Sequence, residues 1–300
     1  MSVDVDVTAE HIARRIASTI DPVFAMIDGW RDVLERELAG PLAGALTGDG
    51  APTAETFDPV VAALVSAELE QEGSLITGAG FVAAPGFLAD APWHLAWWLS
   101  GSNTFGPGSG LRRLATVDDP DSEQFRDYTT LEWWRVPART GTRHLTGPYV
   151  DYLCTDDYTV TITTPVRVEG EMVGLVGTDL YVARLEQVLL PVIRESGHPC
   201  TLVNASGRIV ASTDARRATG ALLRIDGLVD ALAPLHDVVS ATDAAALPGG
   251  QTVVPCGDTS LALVLEARRA GAYGRHAVPR GATRCYAVLR GSGCGGAHQQ

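Results

Sequence analysis

The chain contains no lysine; its 23 basic residues are all arginine, set against 36 acidic residues, and the formal net charge is −13. Phosphate recognition needs concentrated positive charge, so direct nucleic-acid binding is not expected. Alanine and glycine are abundant, and the missing lysine reads as the coding bias of a high-GC genome rather than as chemistry. No run reaches the roughly 18 uninterrupted apolar residues of a membrane span. Met1 to Ala9 is acidic and has neither a basic nor an apolar leader region, so no secretory signal is read there. The five cysteines (Cys154, Cys200, Cys256, Cys285 and Cys294) are odd in number, far apart and form no CxxC pair. That fits a reduced, cytoplasmic protein.

Catalytic signatures are also missing. His94, His144 and His198 are isolated and give no metal-ligand spacing. Cys154-Thr155-Asp156-Asp157 lacks an activating base. Gly106-Pro107-Gly108-Ser109-Gly110 lacks the Lys-Ser/Thr of a phosphate loop, and no Gly-x-Ser-x-Gly elbow is present. No catalytic residue, metal or cofactor is assigned.

Periodicity organises the rest. Ile12, Ile16, Ile20, Val23, Ile27, Trp30 and Leu34 recur every three or four positions and predict a long amphipathic helix over 8–38, kinked or split at Pro22. After a Gly/Pro loop at 40–52, a second helix is predicted over 57–71. Strands are then predicted at 75–84, 94–99 and 111–117, followed by a hairpin of 158–168 with 172–180. A helix over 183–194 leads to a smaller echo. It comprises hairpins at 201–212 and 252–266, joined by an Ala-rich stretch with a short helix near 228–235. The fold class is α+β: a helical segment (1–72), a distal module (73–182), a connecting helix (183–198) and a smaller proximal module (199–267). Residues 268–300, rich in Gly and Arg, read as a disordered tail.

The most informative stretch is 125–180. It joins Trp133-Trp134, Gly147-Pro148-Tyr149, the strand ending Thr164-Pro165-Val166, and the return strand Val173-Gly174-Leu175-Val176-Gly177-Thr178-Asp179-Leu180. These pieces resemble the Cache family of PAS-like sensor domains, in its two-module form; the likeness is specific over 120–182 and looser elsewhere. It implies two PAS-like antiparallel-sheet modules behind the N-terminal helix, and a non-enzymatic small-molecule sensor. It also implies signalling through a homodimer formed by that helix or through a separate transcriptional regulator. In amino-acid-binding members an arginine two residues before the aromatic pair takes the ligand carboxylate, and an aspartate ending the return strand takes its ammonium. Asp179 matches the aspartate, but the arginine position is Leu131. The bidentate carboxylate clamp is therefore missing. An amine or a purine-like compound becomes more plausible than an ordinary amino acid, unless Arg126, Arg135 or Arg143 substitutes.

The expected ligand-binding residues are Trp98, Trp133, Trp134, Tyr149, Asp151, Tyr158, Thr163 and Asp179. Trp133 and Trp134, adjacent on a strand or extended loop, would point opposite ways. Asp179 could instead cap the following helix, Asp151 could be a turn residue, and Tyr158 and Thr163 could simply pack. Two other readings stay open: an enzyme using Asp151 and Asp156 with Tyr158, and a structural partner whose pocket is packed shut by the two tryptophans.

Overall fold

The computed structural model describes residues 3–40, 52–101, 110–151, 158–236 and 243–266. Residues 106–109 of the glycine-rich stretch, Tyr152, Cys154–Asp157, Cys285, Cys294 and the tail 268–300 lie outside them, as does nearly all of the loop expected at 40–52. The described residues all fall within one compact unit.

Helix α1 (Val3–Ala39) runs through Pro22 without a break, so the predicted split does not occur. An interior proline costs a helix about 3 kcal/mol through its missing N–H and ring clash. Against that stand Ile12, Ile16, Ile20, Val23, Phe24, Ile27, Trp30, Leu34 and Leu38, all buried, each contributing roughly 1.5–3 kcal/mol. Packing outweighs the local penalty. Helix α2 (Ala54–Glu70) begins at Thr53, whose side chain accepts from the Thr56 N–H. It buries Phe57, Val61, Val65 and Leu69 at a strict four-residue spacing.

Six antiparallel strands follow: β1 (Ile76–Ala83), β2 (Leu95–Leu99), β3 (Arg112–Arg113), β4 (His144–Val150), β5 (Tyr158–Val168) and β6 (Glu171–Tyr181). Their order is β3-β2-β1-β6-β5-β4. The strand expected over 111–117 shrinks to two exposed edge residues. The β5–β6 hairpin turns on Glu169 and Gly170, both with positive φ (52° and 88°), as a two-residue primed turn requires.

Helix α4 (Val182–Arg194) carries the chain to a second antiparallel sheet; α3 (Glu132–Thr140) lies between β3 and β4. The second sheet contains β7 (Cys200–Asn204), β8 (Ile209–Ser212), β9 (Ala245–Ala246), β10 (Thr252–Pro255) and β11 (Leu261–Leu265), ordered β8-β7-β11-β10-β9. Its short helix is α5 (Leu228–Leu232). Helix α1 packs on β5 and β6 of one sheet and on β10 and β11 of the other, so its apolar stripe is consumed within the chain. Two sheets behind a long N-terminal helix are the architecture the sequence predicts. Among the described residues no helix is long and apolar enough to cross a membrane.

Alternation along the strands gives the first sheet two different faces. Phe81, Val160, Ile162, Val166, Val176 and Leu180 enter the core shared with α1 and α2. The opposite face carries Val82, Leu95, Trp97 and Leu175 beneath Tyr128, Trp133 and Trp134.

Candidate functional site: a carboxylate pocket on the outer face of the first sheet

Strand register places Asp179 in the middle of that outer face. On β6 it stands between Thr161 of β5 and Gly78 of β1, and Thr161 in turn faces Thr146 of β4. The next row runs Thr163, Gly177, Gly80 and Trp97. Gly78 keeps the floor open, because a Cβ there would lie 2.8 Å from Trp97 Nε1 and 3.1 Å from Asp179 Oδ2.

The roof is α3, which corrects the expected extended conformation of Trp133-Trp134. Glu132 lies in the first turn, where the helix dipole favours an acid. Gly141 closes the helix with φ 72°, its N–H donating to the Pro137 carbonyl. Trp133, Trp134 and Pro137 are the buried residues; their i, i+1, i+4 spacing belongs to one helical face. The two indoles therefore lie side by side rather than on opposite surfaces. Tyr128 sits against both, with ring centroids 6.2 Å from Trp133 and 5.3 Å from Trp134. Its hydroxyl donates to the Ala83 carbonyl at 2.7 Å, and burial pushes its pKa up to about 12.

Asp179 is 3% exposed. Thr161 Oγ1 donates to its Oδ1 at 2.6 Å. That uses the one Thr161 proton, so the 2.7 Å contact between Tyr149 and Thr161 must have the tyrosine O–H as donor. The sequence Tyr149→Thr161→Asp179 is thus a directed hydrogen-bond relay. Among the described residues Asp179 Oδ2 and Trp97 Nε1 have no partner in hydrogen-bond geometry. Burial, and secondly the charge of Asp151, push the Asp179 carboxyl well above the usual carboxylate range; Thr161 and the nearby Trp97 indole oppose this.

Trp133, Tyr149, Asp151, Thr163 and Asp179 all line one inner cavity, with Trp97, Thr161, Val82 and Leu95. Its volume is about 20 Å³, room for about one water molecule. Thr163 closes one side by donating to the Trp133 carbonyl at 2.7 Å. Outside lies a cleft of about 510 Å³ that shares Trp133, Tyr149 and Asp151 as a common wall. It reaches Asn204 and Arg208 of the second sheet.

Three expected site residues lie elsewhere. Trp98 points to the opposite face by strand alternation and stacks under Arg113, 5.9 Å from its ring centroid. Trp134 packs with Tyr128 in the roof and does not line the cavity. Tyr158 is 51% exposed and abuts Gly220, in the connection after β8. Nor is Asp179 a helix cap, since the cap of α4 is Tyr181 with no side-chain bond. Of the candidate substitute arginines, Arg126 lines the outer cleft and Arg135 is exposed. Arg143 is bound on the other side of the molecule to Asp28 and Asp258, at 2.8 and 3.0 Å. Of the Trp97-Trp98 pair, Trp97 rather than the expected Trp98 lines the cavity; Thr161 is an additional lining residue, which period-two alternation from Thr163 puts on the pocket face.

The family model for the methyl-accepting chemotaxis protein-like first PDC sensor domain matches residues 112–187, the stretch that holds α3 and β4–β6. Over nearly the whole described chain, the fold is similar to that of a methyl-accepting chemotaxis protein X (TM-score 0.58, 18% identity, 88% of this chain and 96% of the other). It is also similar to the extracellular domains of two candidate histidine kinases. These are mmHK1S-Z3 (TM-score 0.56, 16% identity, 88% and 92% covered) and soHK1S-Z6 (0.51, 16%, 88% and 92%). At such identities the likeness establishes architecture: the chain has the two-sheet fold of these chemotaxis-protein and histidine-kinase domains, and its segment 112–187 is similar to a first PDC sensor domain.

Proposed function

We propose that the chain is a non-enzymatic sensor of a small organic amine, bound between the outer face of the first sheet and α3. The observation that carries this reading is Asp179: a buried carboxylate whose Oδ2 has no partner in hydrogen-bond geometry among the described residues, the Trp97 indole lying near it, beside Asp151, in a cavity with no arginine in its lining. An uncompensated buried charge is costly. A ligand ammonium supplies the missing donors and charge, and so binds the ionised pair far better than a neutral or anionic compound. In this reading residues 73–182 are the ligand-binding module, 199–267 a smaller partner module, and binding displaces Trp133 and Tyr149 from their shared wall. A ligand that favours the open arrangement shifts the population toward it. Output passes to a separate regulator, or to a second copy through the polar face of α1, in the cytoplasm.

Thermal-shift measurements against amines, amino acids, purines and carboxylates test the proposal. Amines are expected to raise the melting temperature of the native chain and to leave Asp179→Asn unmoved. A panel in which no amine shifts the native protein sinks it. One observation favours a second reading, a structural partner with a disused pocket: the inner cavity holds about 20 Å³. Under that reading Trp133→Ala would melt lower and still bind nothing.

A further inference from the structure

We infer that the ligand is an elongated zwitterion, its amine in the inner pocket and its anionic end held in the outer cleft by Arg126 and Arg208, so that it bridges the two sheets; this rests on the amine-sensor reading above. Charge is graded across the two spaces that Trp133 and Tyr149 divide. Asp179 stands at the inner end, Asp151 in the shared wall, and the two guanidinium groups stand in the outer cleft. Among the described residues Arg126 donates to backbone carbonyls, of Glu123 at 3.1 Å and Phe125 at 2.9 Å. Arg208 Nη1 donates to the Gly220 carbonyl at 3.1 Å. Neither guanidinium forms an ion pair among the described residues, so each retains charge and donors for a carboxylate or similar group.

Three acids line the cleft: Asp151 in the shared wall, and Asp127 and Glu132, each already bonded, with Arg208 among the charges that lower the Glu132 pKa. Asp127 accepts from the Thr129 N–H at 2.8 Å and caps a short turn, and Glu132 is bonded to His144 at 3.1 Å. Between the two ends lies Thr146, which lines the cleft. It is 5% exposed, and its hydroxyl has no partner among the described residues. A buried hydroxyl left unsatisfied in a cavity wall is a position that a bound polar group can complete.

The Arg208 end gives this arrangement its consequence. Asn204 donates through Nδ2 to the Gly147 carbonyl of the first sheet at 2.6 Å. Its Oδ1 accepts from the backbone N–H groups of Ser206 and Arg208. One residue thus grips β4 and shapes the turn that carries Arg208. An anionic group bound there ties the second sheet to the ligand, whereas a simple amine would touch the first sheet alone.

Titration calorimetry on the full chain separates the possibilities. The probes are butylamine, butanoate, α-aminobutyrate, γ-aminobutyrate, δ-aminovalerate and ε-aminocaproate. At least one ω-amino acid is expected to bind about tenfold or more tightly than butylamine, the size of one charge-assisted hydrogen bond. Arg208→Gln and Arg126→Gln, both at exposed positions, should each bring that ligand back toward the butylamine affinity. If butylamine or α-aminobutyrate equals the best ω-amino acid, or if both variants keep the full preference, the bridging inference is overturned and amine binding stands. If no amine binds at all, the amine reading fails and takes this inference with it.

Discussion

The two sheets of this protein are layered alike, yet their outer faces differ in kind. On the second sheet Val203, Ile209, Val253, Ala262 and Val264 meet Leu228, Leu232 and Leu235 in an apolar contact. On the first sheet the corresponding layer places Thr161, Thr163, Asp151 and Asp179 beneath Trp133. The first arrangement gains roughly 1.5–3 kcal/mol per buried aliphatic side chain. The second gives up part of that gain to hold carboxylates out of water. Both are supported from behind by the same core against α1, which lets one outer face be specialised without unfolding the molecule. Architecture is common to the two modules; the chemistry resides in a few side chains.

That contrast can be broken most forcefully at Leu232. Leu232→Asp places an unpartnered acid in the apolar layer, and should lower the urea unfolding free energy by about 3–5 kcal/mol or prevent folding. A variant as stable as the native chain would show that the second sheet tolerates a buried acid as the first does. Next in size is Gly80→Ala. Its Cβ would fall 2.1 Å from the Ala96 carbonyl oxygen and 2.7 Å from Trp97 Cα, both backbone atoms, so β1 and β2 must part. A loss of about 2–3 kcal/mol in the same assay is expected.

Asp179→Asn should act in the opposite direction. Removing the buried charge is expected to stabilise the ligand-free protein at neutral pH by on the order of 1–3 kcal/mol, a rise of several degrees in Tm. The pH dependence has a defined sign. Burial and Asp151 raise the folded-state pKa of Asp179 above the roughly 3.9 of an unfolded aspartate. The native chain therefore keeps this proton over a window in which the unfolded chain has lost it. Stability falls as pH climbs through that window and levels off above the folded pKa. The advantage of the asparagine variant should accordingly vanish below about pH 4 and grow as pH rises; an advantage constant with pH would show that charge is not its cause. The smallest effect is expected from Tyr149→Phe, which removes the donor to Thr161 but leaves Thr161 donating to Asp179. A loss of about 1 kcal/mol is expected.

Much of the architecture can be read in the residues. The i, i+3, i+4 stripe of α1, the Glu169-Gly170 turn and the alternating run Tyr158 to Val168 each encode their structure locally. Asp179 was also visible as a lone acid in an apolar strand. What escaped local reading depends on partners distant in the chain. Pro22 should interrupt α1, but contact with four strands overrides it. Trp133 and Trp134 are as compatible with a strand as with a helix until Gly141 supplies the cap. Trp97 and Trp98 are chemically equal neighbours, and only pairing with β1 decides which one faces the pocket.

The sequence alone determined the long N-terminal helix, α2, the β5–β6 hairpin, the connecting helix α4 and the smaller second sheet, because these follow from local spacing and side-chain chemistry. Tertiary structure alone decided that Asp151, 28 positions before Asp179 in the chain, shares its cavity. It also decided that Arg208 of the second sheet lines the adjoining cleft. Register across a sheet is a long-range property: each strand fixes the facing of its neighbour, and a one-residue slip would turn every pocket side chain into the core.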